Sequence, residues 1–200
     1  MSKLPSSLAR QKALLKRREL SKTSRHRKSL RLCQRLLNDP TVISAKTIAC
    51  YHAMHDEVDL SLLYSVAWQQ NKTVLFPVVK KNRAMSFVKA DKKTHWRRNA
   101  LGVYEPIAAT KHGHNQYANP HRIDIVIAPL SAFDAHFARV GMGGGYYDHY
   151  MSRPQYGLRP RFIGVAFDCQ QTTAIQLHEH DVPLDAIATE SQLRFRKRRR

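Results

Sequence analysis

A run of closely spaced glycines is the part of this sequence best suited to chemistry. Four of the eight glycines fall between positions 141 and 145, after Arg139 and before Tyr146-Tyr147-Asp148. Glycine lets the backbone approach a ligand without a Cβ clash, and consecutive N–H groups can form a nest for phosphate oxygens. A helix beginning at Tyr146 would favour an anion at the same place. The spacing is not that of a P-loop. We expect a phosphate-binding loop; the alternative is a flexible linker, which Tyr-Tyr-Asp directly after the glycines disfavours.

A second candidate segment precedes a helix expected from Leu60 and contains two imidazoles and three carboxylates. Glu57 can accept hydrogen bonds from the N–H groups of a heterocycle or help to hold a cation. The alternative role is a helix cap, for which Asp59 is the best placed of the three. His52 and His55 have the HxxH spacing of a zinc site, but no third ligand is identifiable and a loop does not hold the two rings together.

Three aspartates are candidates for a magnesium site. Asp148 ends the glycine segment, and Asp181 and Asp185 lie ahead of the last expected strand. Magnesium typically takes one or two protein carboxylates beside phosphate oxygens and waters. Turn and capping roles are the alternative for Asp181 and Asp185.

The elements that would position these residues alternate between strand and helix. Short apolar runs predict strands at 47–51, 73–79, 85–88 (an edge strand), 123–129, 162–167 and 186–189. Periodic segments predict helices at 6–20, 24–37 and 60–70, and residues 90–121 are expected to form a surface excursion with a turn at Leu101-Gly102. This pattern indicates an α/β protein. We expect a single domain with a mainly parallel sheet, helices on both faces in a Rossmann-like three-layer arrangement, and a basic N-terminal helix. Ligands bind such sheets at the carboxyl ends of the strands, where both candidate segments fall.

The composition narrows the class of protein. Two hundred residues, 42% apolar and 24% charged, suit one globular domain and exclude a fully disordered chain, a collagen-like repeat and a small disulfide scaffold. No segment reaches the roughly 18 apolar residues that span a bilayer, and the N-terminus lacks the apolar stretch of a secretory signal. The three cysteines, at 33, 50 and 169, are widely spaced and indicate reduced thiols in a cytoplasmic protein.

The formal net charge of +19 is concentrated at the two ends of the chain. Residues 1–35 have 12 Lys/Arg and one Glu, residues 192–200 have six Lys/Arg, and the stretch between them has 16 basic and 14 acidic side chains. Such ends attract polyanions in general. We expect one domain over residues 1–193 and a disordered basic tail over 194–200 that binds polyanions without sequence preference.

Several motifs occur together in a fixed order. The most specific are Pro129-Leu-x-Ala-Phe-Asp134 and Arg139-Val-Gly-Met-Gly-Gly-Gly-Tyr-Tyr-Asp148. Supporting ones are Leu20-Ser21 at the end of the basic first helix, Met54-x-Asp56-Glu57-Val58-Asp59, Gly102-Val-x-Glu105-Pro106 and Asp181-Val-Pro-Leu-Asp185. Over about residues 6–190 the chain thereby resembles the 5-formyltetrahydrofolate cyclo-ligases, also called methenyltetrahydrofolate synthetases, which share P-L-x-A-F-D and R-L-G-x-G-G-G-Y-Y-D stretches.

The resemblance implies an ATP-dependent ring closure with Mg²⁺. In it, 5-formyltetrahydrofolate becomes 5,10-methenyltetrahydrofolate, and ADP and phosphate are released. The implied route transfers the γ-phosphoryl group to the formyl oxygen, after which N10 attacks the activated carbon and phosphate leaves. The implied partners are ATP and the folate, with or without added glutamates, and neither a membrane nor a specific nucleic acid.

The resemblance also implies the functional residues, each assigned to the position of this sequence that matches the family's motif. It assigns ATP binding to Arg10, Arg139, Val140, Gly141, Met142, Gly143, Gly144, Gly145, Tyr146 and Tyr147. It assigns folate binding to His52, Glu57, Met142, Gly143, Gly144, Gly145 and Tyr146. Metal binding falls to Asp148 and Asp181, and catalysis to Arg139, Tyr147 and Asp148.

Two other classes of protein compete with this interpretation. An RNA-binding or ribosome-associated protein would account for the basic ends, but not for the glycine–tyrosine segment or the near-neutral middle, and no RRM, KH or zinc-finger pattern appears. A kinase-like or sugar-phosphate enzyme would account for the phosphate loop but not for Glu57.

Overall fold

The computed structural model describes residues 3–54, 56–80, 82, 84–107, 118–119, 122–152, 160–176 and 182–197. Its helices are α1 (Ser6–Glu19), α2 (Lys22–Leu37), α3 (Pro40–Ser44), α4 (Ser61–Gln69) and α5 (Tyr146–Met151). Its strands are β1 (Thr47–Ala49), β2 (Thr73–Val79), β3 (Met85–Ala90), β4 (Trp96–Arg98), β5 (Tyr104–Pro106), β6 (Ile125–Pro129), β7 (Ala132–Phe133), β8 (Arg139–Val140), β9 (Arg161–Val165), β10 (Ala186–Ala188) and β11 (Leu193–Phe195). Within this described part of the chain, no helix is both long and apolar enough to cross a membrane.

Seven strands form one sheet in the order β11-β10-β9-β6-β1-β2-β3. The inner five strands pair in parallel, and β11 and β3 pair antiparallel at the two edges. Two ribbons, β4–β5 and β7–β8, stand apart from this sheet. The predictions of a mainly parallel sheet and of an edge strand at β3 are confirmed.

Alternating side chains of the inner strands fill a core on each face of the sheet. Ile48 and Val74 pack on one face against α2 and α4. The next residue of each strand, Ala49 or Leu75, packs on the opposite face, where α5 contributes Tyr150. Both faces are buried because helices cover both, as is usual for parallel sheets. The predicted three-layer α/β fold is thereby confirmed.

Helix α1 packs on the β7–β8 ribbon through small side chains. Ala9 and Ala13, four residues apart, are buried against the ribbon, whereas the larger Leu8 and Leu15 are 37% and 54% exposed. Alanine lets the helix axis approach closely, which brings the next residue on this face, Arg17, into a buried position.

Two segments differ from the sequence predictions. Part of the expected surface excursion is the β4–β5 hairpin, and Gly102, at φ +77°, forms the predicted turn at its tip. Residues 108–117, 120 and 121 of that excursion lie outside the described residues. Arg194 and Phe195, the first residues of the tail predicted to be disordered, instead lie in strand β11, in which Arg194 is opposite Ile187 of β10. Residues 198–200 of that tail lie outside the described residues. The Arg194 guanidinium also lies over the ring of Phe137, so pairing and stacking order a three-residue strand that has no detectable periodicity.

Candidate functional site

A cavity of about 530 Å³ opens at the carboxyl edge of the sheet. The loop after β1, the end of β2, the β4–β5 hairpin and the glycine segment enclose it. A second cavity of about 540 Å³ lies beside the first turns of α1, and Arg139, Gly143, Gly145 and Asp148 line both. Because β1 and β6 run in parallel, the two candidate segments, far apart in sequence, meet at one site as predicted.

The glycine loop takes backbone conformations that favour glycine at two positions. Gly143 has φ +100°, and Gly145, at φ +68°, is the residue that precedes α5. Arg10 of α1 lies against this loop, since its Nε donates to the carbonyl oxygen of Gly141 at 2.7 Å. A Cβ added to Gly143 would stand 3.4 Å from Nη1 of Arg10. Backbone and cation thus face the same small space, which suits an anion such as phosphate.

We expect Gly143→Ala to weaken ATP binding. An alanine at this positive φ is strained by about 1–2 kcal/mol, which corresponds to roughly a 5- to 30-fold increase in Kd if the loop must keep its shape. Gly141→Ala separates backbone strain from added bulk and should weaken ATP binding less, because Gly141 lines the same cavity but has no positive φ and nothing within 4 Å of an added Cβ. Calorimetric titration with ATP would contradict the phosphate-loop interpretation if both variants bound like the parent protein.

Arg139 and Asp148 form an ion pair at the boundary between the two cavities. Nη2 of Arg139 donates to Oδ1 of Asp148, and the same nitrogen lies 3.3 Å from the sulfur of Met151. The Arg139 side chain is almost fully buried, whereas that of Asp148 is 28% exposed. A guanidinium keeps its charge when buried, so this site retains a cation at any physiological pH.

The orientation of Arg139 depends on Asp134, the last residue of the motif that precedes it. Asp134 is 1% exposed and its Oδ1 accepts the N–H groups of His136 (2.8 Å) and Ala138 (3.0 Å). Its Oδ2 accepts the N–H of Ile175 at 2.8 Å. The carboxylate therefore shapes the turn that leads into β8, where Arg139 begins the strand.

Glu57 lies in the wall of the cavity at the carboxyl edge of the sheet. Its Oε2 accepts the N–H of Met54 at 3.0 Å. Burial raises the pKa of this carboxyl, while the Met54 N–H and the charge of Arg17 work in the opposite direction and the charge of Asp56 adds to the rise. Asp59, expected to cap the following helix, stands one residue before the N-cap position, which Leu60 occupies. Its Oδ1 still accepts the N–H of Ser61, the first residue of α4, at 2.8 Å.

Two further ring side chains face this space. The Tyr147 hydroxyl is buried and has no hydrogen-bond partner among the described residues. Burial, reinforced by the negative charge of Glu57, raises the pKa of this phenol, so it stays a hydrogen-bond donor. The His52 ring centroid lies 5.0 Å from that of Tyr104 and 5.5 Å from that of Trp96. His52 therefore lines the cavity as part of an aromatic cluster.

The predicted metal residues are only partly accounted for. Asp148 is at the site, Asp181 lies outside the described residues, and Asp185 binds the backbone N–H of Phe162 through Oδ2 at 3.0 Å. In the described ranges no three histidine, cysteine or acidic side chains are grouped as for a metal. A single carboxylate beside a phosphate loop fits a Mg²⁺ ion that takes its other ligands from phosphates and water, and does not fit a closed structural site.

Two buried side chains that hold the cavity-lining segments in place, Arg17 and Gln170, were not identified from the sequence. Arg17 looked like one more cation of a basic helix, yet its guanidinium binds Asp56 through two hydrogen bonds. Gln170, 1% exposed, donates through Nε2 to the carbonyl oxygens of Leu130 (2.7 Å) and Ser131 (3.0 Å) at the exit of β6. The i, i+4 spacing of Arg17 with Ala9 and Ala13 was the one available indication that Arg17 faces inward.

Comparison with known proteins gives one consistent result. A model of the 5-formyltetrahydrofolate cyclo-ligase family matches residues 5–190. The chain is 30% identical over 181 residues to a 5-formyltetrahydrofolate cyclo-ligase of Escherichia coli, covering 89% of this chain and 96% of that one. It is 31% identical over 172 residues to the Haemophilus influenzae protein of the same name, covering 84% and 88%.

Solved structures agree with the fold. The NMR structure of the Aquifex aeolicus 5,10-methenyltetrahydrofolate synthetase superposes with a TM-score of 0.81 at 28% identity, covering 98% of this chain and 95% of that one. A Mycoplasma pneumoniae 5,10-methenyltetrahydrofolate synthetase superposes with a TM-score of 0.72 at 22% identity, covering 92% and 98%. At that lower identity the likeness supports the fold alone.

Proposed function

The chain belongs to the 5-formyltetrahydrofolate cyclo-ligase family, and from this premise we propose how its own residues close the folate ring at the expense of ATP. The observation that carries the proposal is the junction of the two cavities. Glu57 lines one, Arg10 lines the other, and Arg139 and the glycine loop line both. Two substrates bound side by side would therefore meet at Arg139.

The nucleotide occupies the cavity beside α1 in this proposal. The backbone of residues 139–147 surrounds its phosphates, and the guanidinium of Arg10 lies against the outer side of the loop. Arg139 stands at the inner side, where the γ-phosphate would face the second cavity. Arginine suits both positions because its fixed donor fork matches phosphate oxygens.

The folate occupies the cavity at the carboxyl edge of the sheet. The Glu57 carboxylate accepts hydrogen bonds from the pterin N–H groups. His52 and the apolar side chains of Met142 and Leu101, which line the same cavity, contact the rest of the molecule. We propose that folates with additional glutamates bind at the same place. The cavity volume of about 530 Å³ is within the usual range for a site of this kind.

The chemistry overcomes a poor leaving group. The formyl oxygen on N5 attacks the γ-phosphorus, the bond from that phosphorus to the bridging oxygen breaks, and ADP leaves. N10 then attacks the activated formyl carbon and loses its proton, and the carbon–oxygen bond breaks to release phosphate. Positioning and charge stabilisation supply the catalysis in such transfers. Arg139 stabilises the negative charge of the transferring phosphoryl group. The Tyr147 hydroxyl lines the same cavity and donates a hydrogen bond to the substrates there.

Magnesium enters this proposal through Asp148. When bound, Mg²⁺ would neutralise charge on the β- and γ-phosphate oxygens. Asp148 would hold it, together with Asp181, while also orienting the guanidinium of Arg139.

We expect Asp148→Asn to raise the Mg²⁺ concentration needed for half-maximal velocity by at least about tenfold. The amide keeps the shape of the side chain but loses the charge that attracts the ion. A Mg²⁺ titration that overlays that of the parent protein, with a lowered kcat, would mean instead that Asp148 acts only by orienting Arg139.

The reaction itself has a direct test. Incubation of the protein with ATP, Mg²⁺ and 5-formyltetrahydrofolate should produce the near-ultraviolet absorbance of the methenyl product, with one ADP formed for each ring closed. ATP hydrolysis without ring closure would contradict the proposal.

The basic C-terminal tail is not assigned to this site, and we propose that it binds polyanions without sequence preference. Truncation after Lys197 keeps β11 and removes three arginines. It should leave ring closure unchanged and reduce the salt slope of binding to single-stranded RNA by about 0.7 for each phosphate that these arginines neutralise. Loss of activity on truncation, or strong preference for one RNA sequence, would contradict this.

Cytoplasmic location stays a prediction, in line with three free cysteines.

A further inference from the structure

The geometry points to Arg17 as a positioning residue for the folate: from outside the cavity, its ion pair with Asp56 holds the neighbouring Glu57 in place. This inference rests on the proposed function, in which Glu57 binds the pterin. Arg17 itself touches neither cavity, since it lines neither.

The ion pair has the geometry of a rigid clamp. Nε of Arg17 donates to Oδ2 of Asp56 at 3.1 Å, and Nη2 donates to Oδ1 at 2.8 Å. The Arg17 side chain is 4% exposed and that of Asp56 23%. A two-point contact between a planar guanidinium and a carboxylate fixes orientation as well as distance. A lysine, with a single ammonium, cannot reproduce it.

Arg17 also reaches the exit of the central strand. Its Nη1 lies 3.5 Å from the carbonyl oxygen of Leu130, which Gln170 binds as well. One buried side chain therefore connects α1, the loop after β1 and the segment after β6. These are the elements that carry Arg10, Glu57 and the glycine loop.

The loop that Arg17 holds is short and closed on itself. The Tyr51 hydroxyl donates to the carbonyl oxygen of Val58 at 2.8 Å, and the Asp59 N–H donates to Oγ of Ser29 at 3.1 Å. Contacts with α2 thus fix the end of the loop, and the clamp to Arg17 fixes the residue before Glu57. Without the clamp, Glu57 would keep its bond to the Met54 N–H but could shift with the loop.

The charges of Arg17 and Asp56 both act on the pKa of Glu57, so the position of the pair relative to Glu57 can be measured. Asp56 raises the pKa of Glu57 and Arg17 lowers it, so the two partners act in opposite directions. Among the described residues, the Tyr51 and Tyr147 phenols are also in electrostatic contact with Glu57; burial raises the pKa of each, so both stay neutral. His52 and Arg139 line the same cavity.

The test compares Arg17→Met with Asp56→Asn in the full-length protein. Carbon-detected NMR titration of the Glu57 carboxyl, without ligand, should give a higher pKa in Arg17→Met, where Asp56 acts alone. It should give a lower pKa in Asp56→Asn, where Arg17 acts alone. Opposite shifts require that both partners stay beside Glu57, whereas shifts of the same sign or none would overturn the arrangement.

Kinetics test the positioning role. Both variants should raise the KM for 5-formyltetrahydrofolate by roughly 10- to 100-fold, the loss expected from a misplacement of about 1 Å, with the KM for ATP changed much less. Arg17→Lys should recover only part of the loss. Arg18→Met is the matched control, since Arg18 is exposed on the same helix and should leave both constants unchanged.

Thermal unfolding of the same variants separates positioning from stability. If the double variant Arg17→Met/Asp56→Asn regains the parent unfolding midpoint but not the parent folate KM, the pair positions Glu57. Recovery of both would mean that the pair only stabilises the fold and would overturn the inference. Failure of Glu57→Gln to weaken folate binding would contradict the proposed role of Glu57, while the opposite pKa shifts would still establish the clamp.

Discussion

Arg139→Met is expected to lower kcat by about 10³-fold, the size of effect seen when a preorganised donor to developing charge is removed. Arg139 is the buried cation shared by both cavities, so its guanidinium would contact the phosphoryl group as it passes to the formyl oxygen. Methionine preserves most of the volume and the contact with Met151 but removes the charge. Single-turnover measurement of methenyl formation at saturating substrates reports this step directly.

Arg10→Ala is the comparison that distinguishes a loss of the chemical step from a loss of ATP binding. Arg10 is only partly buried and lies on the outer side of the glycine loop. Its loss should raise the KM for ATP about tenfold or more, as for a hydrogen bond to a charged group, and leave the single-turnover rate at saturation within a few-fold of the parent. Equal effects of the two variants on the rate would contradict the assignment of Arg139 to the reacting phosphoryl group.

Glu57→Gln should have the second largest effect, and it should separate stability from binding. The amide can accept fewer hydrogen bonds and has no charge, so the Kd for 5-formyltetrahydrofolate should rise by about 10- to 100-fold. The Kd for ATP should not change, because Glu57 lies in the other cavity. Equilibrium titration of each ligand with the other absent checks both statements.

The same substitution should make the fold more stable at neutral pH. Burial raises the pKa of Glu57, so the folded protein binds this proton more tightly than the unfolded chain does. Between the ordinary pKa of glutamate and the raised value, stability therefore falls as pH rises, and the full cost of the buried charge is present above the raised value. Denaturant unfolding should show Glu57→Gln more stable than the parent above that window, with the difference vanishing as pH falls below the ordinary value.

The parent enzyme should show the matching pH dependence in binding. As pH falls through the raised pKa, Glu57 becomes protonated and the KM for the folate should increase, while the KM for ATP stays level. A folate KM that is independent of pH in the parent, or that depends on pH equally in the parent and in Glu57→Gln, would contradict the role of this carboxylate.

The parts of the fold that could be predicted are those in which side-chain chemistry repeats along the chain. The strands around Val74 and Ile127 are continuous apolar runs because both faces of the sheet are covered, and runs of this kind are visible in sequence. The α1 helix was also predictable, but its buried face was not. Two alanines face the ribbon there, and Arg17 next to them binds Asp56 and reaches the carbonyl oxygen of Leu130. Their burial therefore depends on partners distant in sequence.

The residues of the candidate site also fall into those that the sequence identifies and those that it does not. The glycine loop and Glu57 could be identified because their residue types suit phosphate and heterocycle binding wherever they occur. Arg17, Asp134 and Gln170 could not, because each acts through hydrogen bonds to backbone or side-chain atoms distant in sequence. The order of Arg194 was missed for a related reason, since a three-residue strand is stabilised by its neighbour β10 rather than by its own pattern.

Transfer of labelled oxygen tests the central claim most directly. 5-Formyltetrahydrofolate that contains oxygen-18 in the formyl group is converted with unlabelled ATP, and the released phosphate is analysed by mass spectrometry. If the formyl oxygen attacks the γ-phosphorus and leaves with it, each phosphate formed during ring closure contains one labelled oxygen. Label released to water, with unlabelled phosphate, would show that ring closure does not proceed through phosphorylation of the formyl oxygen.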